Sequence, residues 1–340
     1  MAAGEGGGAV RFGLLGAARI APNALTTPAR ANDRARVVAM AARDRGRAER
    51  FARKHGVERV VDSYEAVLAD PEVDAVYIPL PNGLHAPWFV AALAVGKHVL
   101  CEKPWASNAA EAEAMAQAAA ERPDLVAMEA FHWRYHPLAE RMREVVESGS
   151  LGTLRHVEAS FCFPLPMFSD IRYQLDLAGG ALMDAGCYAV SMTRLLGMGE
   201  PTVVSASAKL RSHEVDRAVT AELEFPGGHT GRIRCSMWSS SVLNISARAV
   251  GDRGELRVFN PLGPHVLHRF TTTIDGRRTR ERFPRRSTYA YQLDAFCSAV
   301  LDGGPNLTPP EYSVANMRVI DDVYRAAGLN PRPSHPSWTT

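Results

Sequence analysis

A chain of 340 residues, 46% of them hydrophobic, has the material for a large core and for about two domains. Its 39 basic and 37 acidic side chains leave a formal net charge of +2, which excludes the domain-wide basic field that nucleic acid or an anionic membrane would need. No run comes near the roughly 20 apolar residues of a membrane span.

Cys101, Cys162, Cys187, Cys235 and Cys297 are scattered and form no C-x-x-C pair. Neither a disulfide framework nor a structural zinc site is indicated, and a reducing, cytoplasmic setting is expected. Residues 1–8 are rich in Gly and Ala and lack a basic n-region and an apolar h-region, so a flexible tail is expected there and not a signal peptide.

Val10–Leu15 is a short apolar run that gives way to Gly16-Ala17-Ala18-Arg19-Ile20-Ala21. This strand, turn and helix pattern approaches G-x-G-x-x-G/A with alanine at the second glycine. Gly16 permits the tight turn, the amides of the next residues face a pyrophosphate, and Ala21 lets the helix close on the sheet. A plain helix start with no ligand is the alternative.

A second strand over residues 37–42 ends in Arg43-Asp44. A dinucleotide enzyme specific for NAD keeps a carboxylate at this strand end for the ribose hydroxyls, whereas Ala42 followed by Arg43 leaves room and positive charge for the 2′-phosphate of NADP. Arg47 is within helical reach of the same place. Asp44 would alternatively cap the following helix, which Gly56 ends.

Residues 73–78 read as a third apolar strand, Pro79-Leu80-Pro81-Asn82 as a turn, and residues 85–95 as a helix closed by Gly96. The next strand ends abruptly in Glu102-Lys103-Pro104. In an open parallel sheet, ligands lie beyond the carboxyl ends of the strands, so Lys103 points into the expected crevice. A solvated ion pair is the alternative. Asn108 and Glu111 are spaced as a capping box, and residues 125–130 form another strand. Repeated strand and helix units of this length predict a doubly wound parallel sheet.

After Phe131 the periodicity changes. Residues 154–163 alternate, with Val157, Ala159, Phe161 and Phe163 on one face and His156, Glu158 and Ser160 on the other. Similar runs at 203–210, 218–225, 231–238, 243–250 and 255–259 predict a mostly antiparallel, open-faced sheet in a second, α+β domain. Helices are expected at 289–301 and 312–327. The basic run Arg277, Arg278, Arg280, Arg282, Arg285 and Arg286 reads as a solvated hairpin or loop, with a phosphate site as the alternative. The partition expected is a tail at 1–8, a dinucleotide-binding domain at 9–131 and a substrate and oligomerisation domain at 132–340.

Between the first two strands of the second domain lies Gly179-Gly180-Ala181-Leu182-Met183-Asp184-Ala185-Gly186-Cys187-Tyr188, the start of a helix. Asp184 and Tyr188 are four apart and share a face. The glycine pair allows close approach of a backbone or a ligand. Singly, Tyr188 would be a half-buried core tyrosine; beside an acid and with a strand-tip lysine elsewhere, it points to chemistry.

Together, the turn at Gly16, the Glu102-Lys103-Pro104 triplet and the Gly-Gly-x-Leu-x-Asp-x-Gly motif resemble the Gfo/Idh/MocA (glucose-fructose oxidoreductase and inositol dehydrogenase) family along almost the whole chain. Tyr188, where many members carry histidine, with Arg43, Arg47 and Met128-Glu129-Ala130, most resembles the NADP-using branch of dihydrodiol dehydrogenases and D-xylose 1-dehydrogenases. His132 and Trp133 depart from the aromatic pattern of the dihydrodiol enzymes.

The resemblance implies hydride exchange between a nicotinamide and a carbinol or carbonyl carbon of a sugar or related polyol. It implies cofactor contacts from Gly16, Ala17, Ala18, Arg19, Ile20, Arg43, Arg47, Leu80, Pro81, Asn82, His85, Glu102 and Lys103. Tyr188 would exchange the proton, Lys103 would polarise the substrate oxygen and ease ionisation of the phenol, and Asp184 would orient substrate or lysine. His132, Trp133, Phe161 and Arg172 are candidate substrate contacts, Arg172 with a loop-tying salt bridge as its alternative. His136 reads as structural, and no group has metal-site spacing. Two rivals are a ketoreductase of nucleotide-linked sugars, with the arginine run holding phosphate, and a non-catalytic NADP(H)-sensing protein. A homodimer or higher homo-oligomer through the open sheet face is expected.

Overall fold

Short aliphatic runs buried on both sides build the first sheet, as parallel strands between two helical layers require. The computed structural model describes residues 8–338, so the expected tail, apart from Gly8, lies outside the described residues. Strands β1 (Val10–Leu15), β2 (Ala35–Ala41), β3 (Arg59–Val60), β4 (Ala75–Ile78), β5 (His98–Cys101) and β6 (Ala127–Glu129) pair in the order β3-β2-β1-β4-β5-β6, all parallel. The two-residue edge strand β3 escapes a sequence reading because it is too short for a period.

Helix ends follow the local chemistry. Asp44 caps the helix Arg45–His55 by accepting from the Arg47 amide at 2.6 Å, so the capping alternative holds for this carboxylate. Asn108 caps Ala109–Ala120 through the Glu111 amide at 3.0 Å, while the Glu111 side chain reaches the amide of Ser107 at 2.9 Å and not that of Asn108.

The helix Thr288–Asp302 comes late in the chain but packs on the first sheet. Leu293, Phe296 and Cys297 are buried with Phe12, Leu14 and Tyr77, and the Phe12 and Phe296 rings lie 5.4 Å apart. A cut at 131/132 therefore does not separate two self-contained lobes.

The second sheet has eight strands: β7 (Leu154–Cys162), β8 (Thr202–Ser212), β9 (Val215–Glu224), β10 (Thr230–Ser236), β11 (Asn244–Gly251), β12 (Gly254–Phe259), β13 (Arg269–Ile274) and β14 (Arg277–Glu281). Their order is β14-β13-β12-β11-β7-β10-β9-β8, antiparallel except for the central β7 and β10 pair. The hairpin β13–β14 turns at Asp275-Gly276, both at positive φ, and carries Arg277, Arg278 and Arg280 on an exposed edge strand. The arginine run is thus a hairpin, extended by a loop in which Arg286 pairs with Asp294.

One face of this sheet is covered by the helix Cys187–Gly197, with Pro310–Ala326 packed beside it. The opposite face carries polar side chains, among them Arg232 bonded to Glu222 at 2.7 Å and Arg248 to Glu255 at 2.7 Å.

The glycine motif is fixed from behind by an ion pair withdrawn from water. Arg332 and Asp216 are 1% and 0% exposed and meet at 2.6 Å. The other oxygen of Asp216 accepts from the Leu182 amide at 2.7 Å, and Tyr324 donates to the same carboxylate. Leaving such a carboxylate unpaired costs about 3–5 kcal/mol. Gly180, at φ +142, lies against Asp216, and a Cβ there would collide with its carboxylate. A Cβ on Gly179 would stand 2.7 Å from the carbonyls of Arg172 and Gln174. Both glycines are needed to let these groups close around the helix start.

Candidate active site

The tips of the parallel strands and the inner face of the second sheet enclose a cavity of about 820 Å3. Lys103 reaches it from the end of β5, just past Cys101, with a cis peptide between Lys103 and Pro104. Asp184 and Tyr188 reach it from the wide helical turn Leu182–Gly186 and the helix it leads into. The Lys103 Nζ donates to the Asp184 carbonyl at 2.8 Å and to its Oδ1 at 3.3 Å, and lies 4.8 Å from the centroid of the Tyr188 ring. Arg172 grips the other carboxylate oxygen through Nε at 3.0 Å and Asp170 at 3.1 Å.

These charges hold one another against desolvation. Burial opposes the Lys103 ammonium, but Asp184, with Cys187 and Glu102, outweighs it and raises the lysine pKa above its ordinary value. Burial likewise opposes the Asp184 carboxylate, and Lys103 and Arg172 overcome it to bring its pKa below the usual range. Glu102 goes the other way: burial lifts its pKa despite Lys103, and Tyr77 donates to it at 2.7 Å.

At Tyr188, burial, with Tyr289 and Glu102, pushes the pKa well above the ordinary value, which favours the neutral phenol in the resting site.

At the cofactor end, Ala18, Arg19, Ile20, Arg47, Leu80, Pro81, Asn82 and Glu102 line the cavity with Lys103. A dinucleotide fits what is there. Gly16 turns at φ +102, where a Cβ would press to 3.1 Å from Leu80 Cδ2, and Ala18, Arg19 and Ile20 line the cavity just ahead of the helical turn Pro22–Thr26. Arg47 Nη2 donates to the Ala17 carbonyl at 2.7 Å, which sets its guanidinium beside the turn. Arg43 is exposed beside it and outside the lining.

His85 lies beneath the wall, fully buried, its ring between the Pro104 and Leu80 carbonyls at 2.9 Å each. It braces the two loops and does not face the cavity, contrary to expectation.

At the substrate end, Phe161 lines the cavity with its ring 5.6 Å from that of Tyr188, and Arg172 lines it while also tying the loop down. Trp133 is 0% exposed in the core and cannot meet a substrate, because the tight turn His132–Tyr135 points it inward. His132 does reach the wall, but its two nitrogens are engaged by Tyr188 Oη at 3.1 Å and Thr288 Oγ1 at 2.8 Å. His136 caps the helix Pro137–Glu147 through the Leu138 amide, a structural place as read.

Sequence reasoning missed Phe163, Met167, Ile171, Ile245, Leu262, His265, Val266 and Tyr289 along the same wall. Most lie in loops without period; Ile245 and Phe163 follow the inward face of their strands and were legible from that alternation. None of the arginines from 277 to 286 lines the cavity.

A sequence model described as an oxidoreductase family with an NAD-binding Rossmann fold matches residues 10–130, and one for the GFO/IDH/MocA C-terminal domain matches 139–257. The chain belongs to the Gfo/Idh/MocA oxidoreductase family. It is accordingly a dinucleotide-dependent oxidoreductase.

Among members, a D-xylose 1-dehydrogenase (NADP(+)) of Haloferax volcanii is 39% identical over 93% of this chain and 97% of its own. A trans-1,2-dihydrobenzene-1,2-diol dehydrogenase of Mus musculus is 38% identical over 76% and 77%. The crystal structure of a 3-ketoreductase from Actinomadura kijaniata in complex with NADP and TDP-benzene superposes with a TM-score of 0.86 at 31% identity, covering 94% of this chain and 98% of that one.

Because the Asp184 pKa is lowered in the fold, its contribution to stability is complete above the unfolded value of about 3.9 and is lost as the pH falls through the lower folded value. Asp184→Asn should therefore be less stable than the wild type at neutral pH by about 3 kcal/mol. Urea unfolding at a series of pH values should find that gap narrowing below about pH 4.

Proposed function

We propose that the protein is an NADP-dependent oxidoreductase that moves a hydride between the nicotinamide and a carbinol or carbonyl carbon of a free sugar or related polyol. The observation that carries this reading is an ammonium from one lobe and a phenol from the other on one cavity wall, 4.8 Å apart from Nζ to ring centroid. When bound, the nicotinamide supplies or accepts the hydride. In reduction, Tyr188 gives its proton to the substrate oxygen while Lys103 stabilises the charge developing there. In oxidation the same proton returns to the phenolate. Asp184 keeps the ammonium charged and in place, and Arg172 keeps Asp184 from turning into the cavity.

The rival ketoreductase of nucleotide-linked sugars needs cations for a diphosphate. Along the cavity, Arg19 and Arg47 stand at the glycine-turn end, while Lys103 and Arg172 are committed to Asp184 and Asp170. Burial lowers the pKa of His132 and His265, which disfavours their charged forms. Those are the basic side chains of the lining among the described residues, and they favour an uncharged substrate. A non-catalytic sensor would have no use for Lys103, Asp184 and Tyr188 brought together.

Tyr188→Phe and Lys103→Met should each lower turnover about a hundredfold or more with NADPH binding retained, in an assay that sets free aldoses and polyols against nucleotide sugars. Near-normal rates in either variant would remove that residue from the chemistry, and turnover confined to nucleotide sugars would favour the rival.

NADP preference rests on Asp44 being spent on a helix cap while Arg47, with Arg43 beside it, leaves positive charge at the end of β2. The Arg43→Ala, Arg47→Ala double variant should lose about tenfold or more in kcat/KM with NADPH relative to NADH. Steady-state kinetics with both cofactors measures this, and an unchanged ratio would acquit the two arginines.

The uncovered face of the second sheet suits an isologous dimer, since its Glu158, Glu222, Arg232 and Arg248 alternate in sign across neighbouring strands. Light scattering should give at least twice the 37.0 kDa chain mass, and a monomer at working concentration would overturn this. A cytoplasmic location belongs to the same reading, which the five buried thiols suit.

A further inference from the structure

The sequence suggests His132 as a substrate contact, but its ring is held between two hydroxyl groups. Nε2 lies 3.1 Å from the Tyr188 phenol oxygen and Nδ1 2.8 Å from Thr288 Oγ1. His132 is 6% exposed and Thr288 0% exposed, and the imidazole packs on the Tyr289 ring at 4.1 Å. His85 is placed differently. That ring faces two backbone carbonyls, which only accept, so both its neighbours ask for a proton. Each neighbour of His132 is a hydroxyl, which either donates or accepts, so the neutral ring is fully satisfied in either tautomer.

The two tautomers have opposite consequences for Tyr188. With the proton on Nδ1, Nε2 is an acceptor and draws the phenol proton towards itself, away from the cavity. With the proton on Nε2, the ring donates to the phenol oxygen, and the phenol proton is left to face the substrate. Thr288 decides between them. Its Oγ1 has His132 Nδ1 as its one hydrogen-bond partner among the described residues, and it stands at the first position of the helix Thr288–Asp302, behind the cap Ser287, where the positive helix end favours a hydroxyl proton turned away from the helix and toward Nδ1.

Resting on the reading of Tyr188 as the proton donor, we infer that His132 and Thr288 are positioning residues for it: Thr288 donates to Nδ1, His132 keeps its proton on Nε2, and that N–H holds the phenol oxygen and stabilises the phenolate left after proton transfer. No proton leaves the ring in this scheme. The substrate oxygen gains the phenol proton, and the negative charge stays on Tyr188 between the Nε2–H and the Lys103 ammonium.

The groups that bear on the Tyr188 titration are Lys103 and Glu102 from the strand tip, Asp184 and Cys187 from its own helix, and Tyr289 and His132 from the opposite side. His132 is itself faced by Lys103 and His265, and with burial they take its pKa down to about 3, which keeps the ring neutral through the working range.

The test has two arms. Nitrogen NMR of the full chain with ring-labelled histidine, assigned by the signal that His132→Phe removes, should find His132 neutral and protonated on Nε2; a ring protonated on Nδ1 or on both nitrogens overturns the inference. In the second arm, His132→Phe should lower kcat for alcohol oxidation about tenfold or more and raise the pKa of the basic form of the enzyme in the kcat/KM profile by about one unit, with KM changed little. Thr288→Val should move both quantities the same way by less, and Thr288→Ser should restore them.

A pH profile identical to wild type, or Thr288→Ser behaving as Thr288→Val, would reduce the two residues to packing. Absence of any NADP(H)-dependent turnover sensitive to Tyr188→Phe would instead count against the proposed function, and the NMR arm would still decide the tautomer.

Discussion

A half-buried carboxylate between two cations is the constraint on which the site depends. Asp184 receives Lys103 from the strand-tip side and Arg172 from the loop before its own helix, so positive, negative and positive charges alternate across the junction of the lobes. Desolvation opposes the charges of Lys103 and Asp184, and each is retained because its neighbour is of opposite sign, while the more exposed Arg172 adds a second cation from the solvent side. The lysine can therefore stay ionised although burial desolvates it, and there its field on a nearby oxygen is stronger than it would be in water.

That arrangement is held by parts of the chain that never touch the cavity. The Gly179-Gly180 pair admits the carbonyls of residues 172 and 174 on one side and Asp216 on the other, and Asp216 in turn anchors the amide of Leu182. Arg332 completes the clasp, with its carbonyl accepting from Asn108 in the first lobe at 2.9 Å. What looks in sequence like a ligand-binding glycine motif serves first to seat a helix start. The placement of Asp184 and Tyr188 follows from that seating.

Most of the fold is legible in the sequence because its signals are local. The parallel strands announce themselves as apolar runs closed by Gly, Pro or a charged residue, and the second sheet by strict alternation at residues such as Val157, Ala159 and Phe161. Lys103, Asp184 and Tyr188 stand out because a charge or phenol at a strand tip or helix start breaks such a pattern. What escapes depends on distance along the chain. His132 can be placed on the cavity wall but not behind Tyr188, since that relation needs Thr288 from a segment far away in sequence. Trp133 beside it reads wrongly as a substrate contact because a tight turn gives no periodicity from which to tell inward from outward. The arginines of β14 suit an exposed edge and are legible as a hairpin or loop, but its partner strand β13 gives no signal before that turn.

The return of residues 288–302 to the first sheet bears on how this chain is made. During synthesis the nucleotide lobe leaves the ribosome with one side of its sheet, around Phe12 and Leu14, still lacking the helix that will cover it, and the whole second sheet must emerge before Phe296 arrives. An exposed apolar face waiting that long invites chaperone capture or self-association. A chain ending at residue 131 would carry a full set of parallel strands but lack the Leu293, Phe296 and Cys297 side chains that pack with Phe12, Leu14 and Tyr77.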